Sequence, residues 1–171
     1  MPKIDIASVK IEVGTHYPDP YHIPVARRAR QRLGNAVGLD QFGVNLTRLP
    51  PGTQSSQRHW HQSEDELVYV LEGELVLLEN DGETVLKTGD AAGWKAGTDN
   101  GHCLINRTQR DALYLEVGTR KVHDRVVYPD IDLLSIKDEK GPRFAHKSGE
   151  LYPPRTLRAL AAARLAGAEP N

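Results

Sequence analysis

The tightest constraint in this chain is the stretch His59-Trp60-His61, followed after four residues by Glu66 and after six more by Gly73. Side chains alternate along an extended strand, so two histidines separated by one residue share a face and Trp60 points the other way. Glu66 opens a run, Glu66-Leu67-Val68-Tyr69-Val70-Leu71, whose β-branched and aromatic content predicts a strand. Glu72-Gly73 is a turn signal, and a second apolar run, Leu75-Val76-Leu77-Leu78, follows it. Such a turn allows Glu66 to lie beside both imidazoles. Two neutral nitrogens and one carboxylate oxygen on neighbouring strands are what a divalent metal requires, and His102 is the candidate for a fourth ligand.

Around this stretch the pattern is β. Phe42 to Leu49 reads as a strand ended by Pro50-Pro51-Gly52. Asn80-Asp81-Gly82 is a hairpin signal between Leu75–Glu79 and Thr84–Lys87. Ala91 to Ala96, His102 to Asn106 and Ala112 to Gly118 are further short strands. Strands at regular spacing with turn glycines and no central helix predict a sandwich or barrel. The ends read differently. Ile4 to Val13 alternates as an edge strand, and Pro24 opens a helix that Gly34 closes, with Val25, Ala29 and Leu33 as its apolar stripe. Arg27, Arg28, Arg30 and Arg32 then form a solvated helix face. Tyr128 to Leu133 is expected to lie across the barrel, and residues 155–165 to form a last helix.

With 171 residues the chain makes one domain, enough to bury roughly 70% of its unfolded surface. Its net charge of −1 argues against nucleic acid or an anionic membrane as partner. No apolar run approaches the ~20 residues that span a bilayer, and Met-Pro-Lys-Ile-Asp-Ile lacks a signal-peptide core. One cysteine, Cys103, allows no internal disulfide. The expectation is a cytoplasmic protein.

Gly52, six residues, His59-x-His61, four residues, Glu66, six residues and Gly73 together resemble the first motif of the cupin family. Gly89, five residues, Lys95-x-Gly97, then His102, three residues and Asn106 resemble the second. The loop from Gly52 to His59 is one residue longer than the commonest form, Lys95 replaces a usual proline, and the gap from Gly97 to His102 is two residues longer. All three departures lie in turns, where insertions are tolerated. The resemblance covers Phe42 to Gly118. It implies an all-β double-stranded β-helix, a jelly-roll-like barrel, with short helical N- and C-terminal extensions. The chain then divides into an N-terminal extension (1–41), the barrel (42–118) and a C-terminal extension packing on it (119–171). The resemblance also implies His59, His61, Glu66 and His102 as metal ligands, the metal centre itself being the catalytic element.

Three imidazoles and a carboxylate leave open positions on a six-coordinate ion. They suit Fe or Mn, accommodate Ni, Co and Cu, and bind Zn, so the ion's identity is left open. Cys103, next to a ligand, turns away from the metal by alternation. Asn106 faces inward to orient a ligand or loop. Arg48, Arg58, Tyr114 and Glu116 are candidates to reach a substrate, each equally explained as surface or core. His16, His22, His123 and His146 lack ligand spacing. Trp60, Leu67, Tyr69 and Leu71 share the face opposite the ligands, and this apolar face is expected to be covered by the terminal segments or by a homodimer partner.

Three functions fit. The first is a metal-dependent enzyme acting on a small polar metabolite, with a sugar or sugar-phosphate isomerase-like reaction suggested by analogy and dioxygenase or decarboxylase chemistry as alternatives. The second is a noncatalytic, metal-anchored sugar or metabolite binder. The third, a ligand-sensing regulator, is disfavoured because no helix-turn-helix segment precedes Phe42.

Overall fold

The computed structural model describes residues 3–153, so the helix expected at 155–165 lies outside the described residues. The chain forms β1 (Ile11–Val13), β2 (Ala29–Arg32), a single helical turn α1 (Leu33–Ala36), β3 (Phe42–Leu49), β4 (Trp60–His61), β5 (Glu66–Glu72), β6 (Glu74–Glu79) and β7 (Gly82–Lys87). It continues through β8 (Ala91–Trp94), β9 (Cys103–Ile105), β10 (Ala112–Thr119), β11 (Asp124–Tyr128), β12 (Leu133–Asp138) and β13 (Gly141–Ala145). Strands β1-β2-β3-β10-β5-β8 make one six-stranded sheet; β13-β12-β11-β4 and β7-β6-β9 make two smaller ones. This is the all-β double-stranded β-helix expected, with minor helical content.

Alternation decides what packs between the layers. Leu49, Val68, Val70, Ala112 and Tyr114 point inward from the large sheet and meet Leu75, Leu77, Leu86 and Leu104. Each such buried aliphatic side chain contributes about 1.5–3 kcal/mol relative to exposure. A second cluster joins Tyr17 and Val25 to Val126, Tyr128 and Leu133 of the four-stranded sheet. The β5–β6 turn depends on Gly73, whose φ of +82° lies in the left-handed region. A Cβ there would also stand 3.0 Å from the Asp111 carbonyl.

The N-terminal expectation needs correction. Residues 24–34 do not form a helix: a 3-10 turn at Ile23–Val25 is followed by β2, paired with both β1 and β3. Val25, Ala29 and Leu33 mimic a helical stripe, but the governing period is two. Arg30 and Arg32 sit opposite Thr47 and Asn45 and face inward with them. Upstream, a 3-10 turn at Ile6–Ser8 interrupts what reads as one edge strand, leaving β1 as the edge. Tyr128 to Leu133 is also not a crossing segment. It is the connection between β11 and β12, and β11 hydrogen-bonds to β4, the strand that carries His61.

On the outer face of the large sheet Leu67 and Tyr69 stay 47% and 42% exposed, so no described terminal segment covers them. Among the described residues no helix is long and apolar enough to cross a membrane.

Candidate metal centre

His61 ends the two-residue strand β4, while His59 and His102 face each other across an isolated antiparallel bridge. Their backbones exchange hydrogen bonds of 3.1 and 2.9 Å. Glu66, first residue of β5, completes the group. Its Oε2 lies 2.9 Å from His102 Nε2 and 3.6 Å from the Nε2 atoms of both His59 and His61. All four residues named from the sequence therefore gather about the Glu66 carboxylate, with His59, His61 and Glu66 within ligating distance of one another and His102 joined to them through Glu66.

The far nitrogens explain the orientation. His59 Nδ1–H donates to the Gln57 carbonyl at 2.9 Å, and His102 Nδ1–H to the Asn100 carbonyl at 3.2 Å. His61 Nδ1–H donates to Asp124 Oδ2 at 2.6 Å. Each Nδ1–H is thus fixed on an outer acceptor, which turns the Nε2 atoms inward toward Glu66. Burial, helped by His61 and His102 and opposed by Glu66, pulls His59 down to about 3, so this ring is neutral at physiological pH. Burial raises Glu66, but the His102 hydrogen bond and the three imidazoles outweigh it and hold the carboxyl well below the usual range. His61 is lowered by burial yet ends above its ordinary value through Asp124 and Glu66.

Flat contacts hold two of the rings. Trp94 stacks on His102 at 3.7 Å and 5°, and Tyr128 lies against His59 at 5.7 Å and 26°. The cluster opens into a cavity of about 880 Å³ between the large sheet and the β11–β13 sheet. Of the substrate candidates, Tyr114 and Glu116 line it. Arg48 instead faces out to Asp111, and Arg58 grips Asp130 through two hydrogen bonds of 2.6 and 2.7 Å. Asn106 is fully buried and orders a loop, donating to the Leu49 and Arg110 carbonyls and accepting from Thr108. Cys103 is buried, and burial pushes its thiol up to about 12. His22, His123 and His146 pair with Asp19, Glu139 and Asp132, while His16 lies on the cavity wall.

Sequence reasoning missed Asp124, whose side chain is 1% exposed and whose Oδ1 also accepts from Ser63 N at 2.9 Å. A second potential cation cluster, His61–Glu64–Asp124, has its Glu64 already tied to Lys137 at 2.7 Å. The period-two pattern Asp124-x-Val126-x-Tyr128 marked an inward face. Nothing marked that face as the one paired with His61. Arg28 and Arg30, read as helix surface, also line the cavity.

A family model described as "Cupin domain" matches residues 45–118. No curated protein matches the chain. Among solved structures, the chain is 43% identical to a sugar phosphate isomerase from a cupin superfamily of Silicibacter pomeroyi, with a TM-score of 0.85, covering 89% of this chain and 97% of that one. A candidate sugar phosphate isomerase of Acidithiobacillus ferrooxidans is 26% identical at a TM-score of 0.73, covering 89% and 94%. A predicted oxalate decarboxylase of Thermotoga maritima, 21% identical at 0.57 over 70% and 100%, shares the fold.

Proposed function

Since this chain belongs to the cupin superfamily, we propose that it is a metal-dependent enzyme acting on a small polar metabolite, by a sugar-phosphate isomerase-like reaction. The observation that carries the reading is the set of three Nε2 atoms facing the Glu66 carboxylate at 2.9 to 3.6 Å, with each Nδ1–H held on an outer acceptor. Such an arrangement needs a cation at its centre, either a proton, as in the 2.9 Å His102–Glu66 hydrogen bond, or a metal ion that takes the proton's place. His59, His61, Glu66 and His102 would hold one divalent transition metal, of a kind that this donor set leaves open among Fe, Mn, Zn, Ni, Co and Cu. When bound, the ion supplies a Lewis acid for a substrate carbonyl oxygen.

The chain's own residues prepare the rest. Asp124 fixes the His61 tautomer, and Trp94 holds the plane of His102. Burial raises the phenols of Tyr114 and Tyr128, so both remain protonated, and the Tyr114 hydroxyl points at Glu116 on the cavity wall. The other wall carboxylates are committed, Glu64 to Lys137 and Glu116 to Arg30. The names of the two isomerase relatives supply the reaction class, and the cavity size suits a small sugar.

Metal-loaded protein should interconvert aldose and ketose phosphates, followed by proton NMR over a panel of phosphorylated and free sugars, keto acids and catechols. Binding of a panel member without turnover would place the protein among noncatalytic binders. Oxygen consumption or CO2 release would move it to the dioxygenase or decarboxylase class. We also propose a homodimer through the outer face bearing Leu67 and Tyr69, and a cytoplasmic setting suited to the single thiol. Light scattering giving the monomer mass would exclude the dimer.

A further inference from the structure

Of the five arginines that line the cavity, Arg28, Arg30, Arg32, Arg120 and Arg143, the first two stand apart by their buried, unaccepted Nε–H groups. Arg28 leads into β2 and Arg30 lies within it, so they share a face at a two-residue step of about 7 Å. Arg30 Nη2 donates to Glu116 Oε2 at 3.0 Å, and Glu116 also accepts from Asn45 Nδ2 at 3.0 Å. Arg28 has no carboxylate partner among the described residues. Its two terminal nitrogens donate instead to the carbonyls of Ser55 at 2.5 Å and Gly14 at 3.1 Å. The Nε–H groups of both arginines are buried without an acceptor among the described residues. Two guanidinium charges therefore share one carboxylate. Burial first, then the Arg30 charge, pulls Arg28 down to about 10, which leaves it charged at neutral pH at an energetic cost. Buried charged donors ordinarily have a counter-charge.

The geometry points to Arg28 and Arg30 as the subsite for the phosphate group of a phosphorylated substrate whose other end lies at the His59–His61–Glu66–His102 cluster. This rests on the metal-site reading above and names the substrate's anionic end. The spacing fits. Glu116 pairs with Val68 across β10 and β5, and Glu66 is the next inward residue on β5. The Arg30 head, held at Glu116, is thus one strand spacing and one two-residue step from Glu66, about 8 Å. The residues beside Glu66 in that row are Gly118 and Gly43, and the Arg120 guanidinium lies over Gly43, adding a further positive charge to that wall. A short sugar chain bridges such a distance. Two guanidinium forks approaching from successive strand positions also match the several terminal oxygens of a phosphate monoester, whereas a carboxylate needs only one fork.

The test is calorimetric titration of the metal-loaded, full-length protein with inorganic phosphate, with acetate as the carboxylate arm. Phosphate should bind wild type, bind Arg28→Gln roughly ten- to a hundred-fold more weakly, and regain part of the loss in Arg28→Lys. Metal content should be equal in all three. Equal phosphate affinity in wild type and Arg28→Gln overturns the subsite, and acetate binding as tightly as phosphate overturns the phosphate assignment. Should Arg28→Gln not fold, the Nε–H resonances of wild type decide: the Arg28 signal shifts on phosphate addition, or its constancy refutes the assignment. Phosphate binding retained in a protein that takes up no metal would sink the metal reading and leave this one standing. Metal loading without phosphate binding does the reverse.

Discussion

Replacing Asp124 by Asn removes one charge and almost no volume, yet the structure leaves the amide no good orientation. Asp124 accepts two hydrogen bonds, from His61 Nδ1–H at 2.6 Å and from Ser63 N–H at 2.9 Å, with its side chain 1% exposed. An amide has one oxygen. If that oxygen faces Ser63, the NH2 group faces His61 Nδ1, and the ring must move its proton to Nε2, where it no longer ligates. If the oxygen faces His61, the NH2 group opposes the Ser63 N–H, a buried donor–donor contact costing about 1–3 kcal/mol. Loss of such a partner behind a ligand histidine ordinarily weakens metal binding by about 10–100-fold, or about 1.4–2.8 kcal/mol. At about 2–4 °C per kcal/mol for a chain of this size, the folding cost lowers Tm by roughly 2–12 °C. Competition against a chromophoric chelator measures the first effect and thermal melting the second. An Asp124→Asn variant with metal affinity within threefold of wild type and unchanged Tm would refute the role given to this carboxylate.

The same group predicts a pH dependence. Burial raises the Asp124 carboxyl, but the His61 hydrogen bond and charge and two backbone N–H groups lower it further, so its folded-state value lies below the ordinary one. Its stabilisation is therefore present above the ordinary aspartate range and lost as pH falls through the depressed folded value; urea midpoints from pH 6 downward should decline less steeply in Asp124→Asn. Gly73→Ala should cost more than Gly38→Ala in urea unfolding. Both backbones are left-handed, worth about 1–2 kcal/mol for an L-residue, but only at Gly73 does the new Cβ meet backbone, and equal losses would contradict the packing described.

The strands between Phe42 and Gly118 and the gathering of His59, His61, Glu66 and His102 were legible because local rules agree there. Alternation sets the shared face of His59 and His61, and turn glycines set the hairpins. Residues 24–34 misled because a strand whose inward face lines a polar cavity carries arginines where a core strand carries aliphatics. The charged positions of β2 then read as solvated surface. Asp124 was illegible for a different reason: its partner His61 is 63 positions away, and only the pairing of β11 with β4 brings them together. The second and third sheets were hidden likewise, since nothing local in Asp124–Ala145 says which strand it will border.

A divalent ion held by three imidazoles and one carboxylate is what the proposed chemistry depends on. Metal-edge X-ray absorption on the full-length protein, after elemental analysis, tests it most directly. About one ion per chain is expected, with a nitrogen and oxygen shell near 2.0–2.2 Å containing three imidazoles, and one imidazole fewer in His61→Ala. Sulfur scattering near 2.3 Å, or a shell unchanged in His61→Ala, would contradict it.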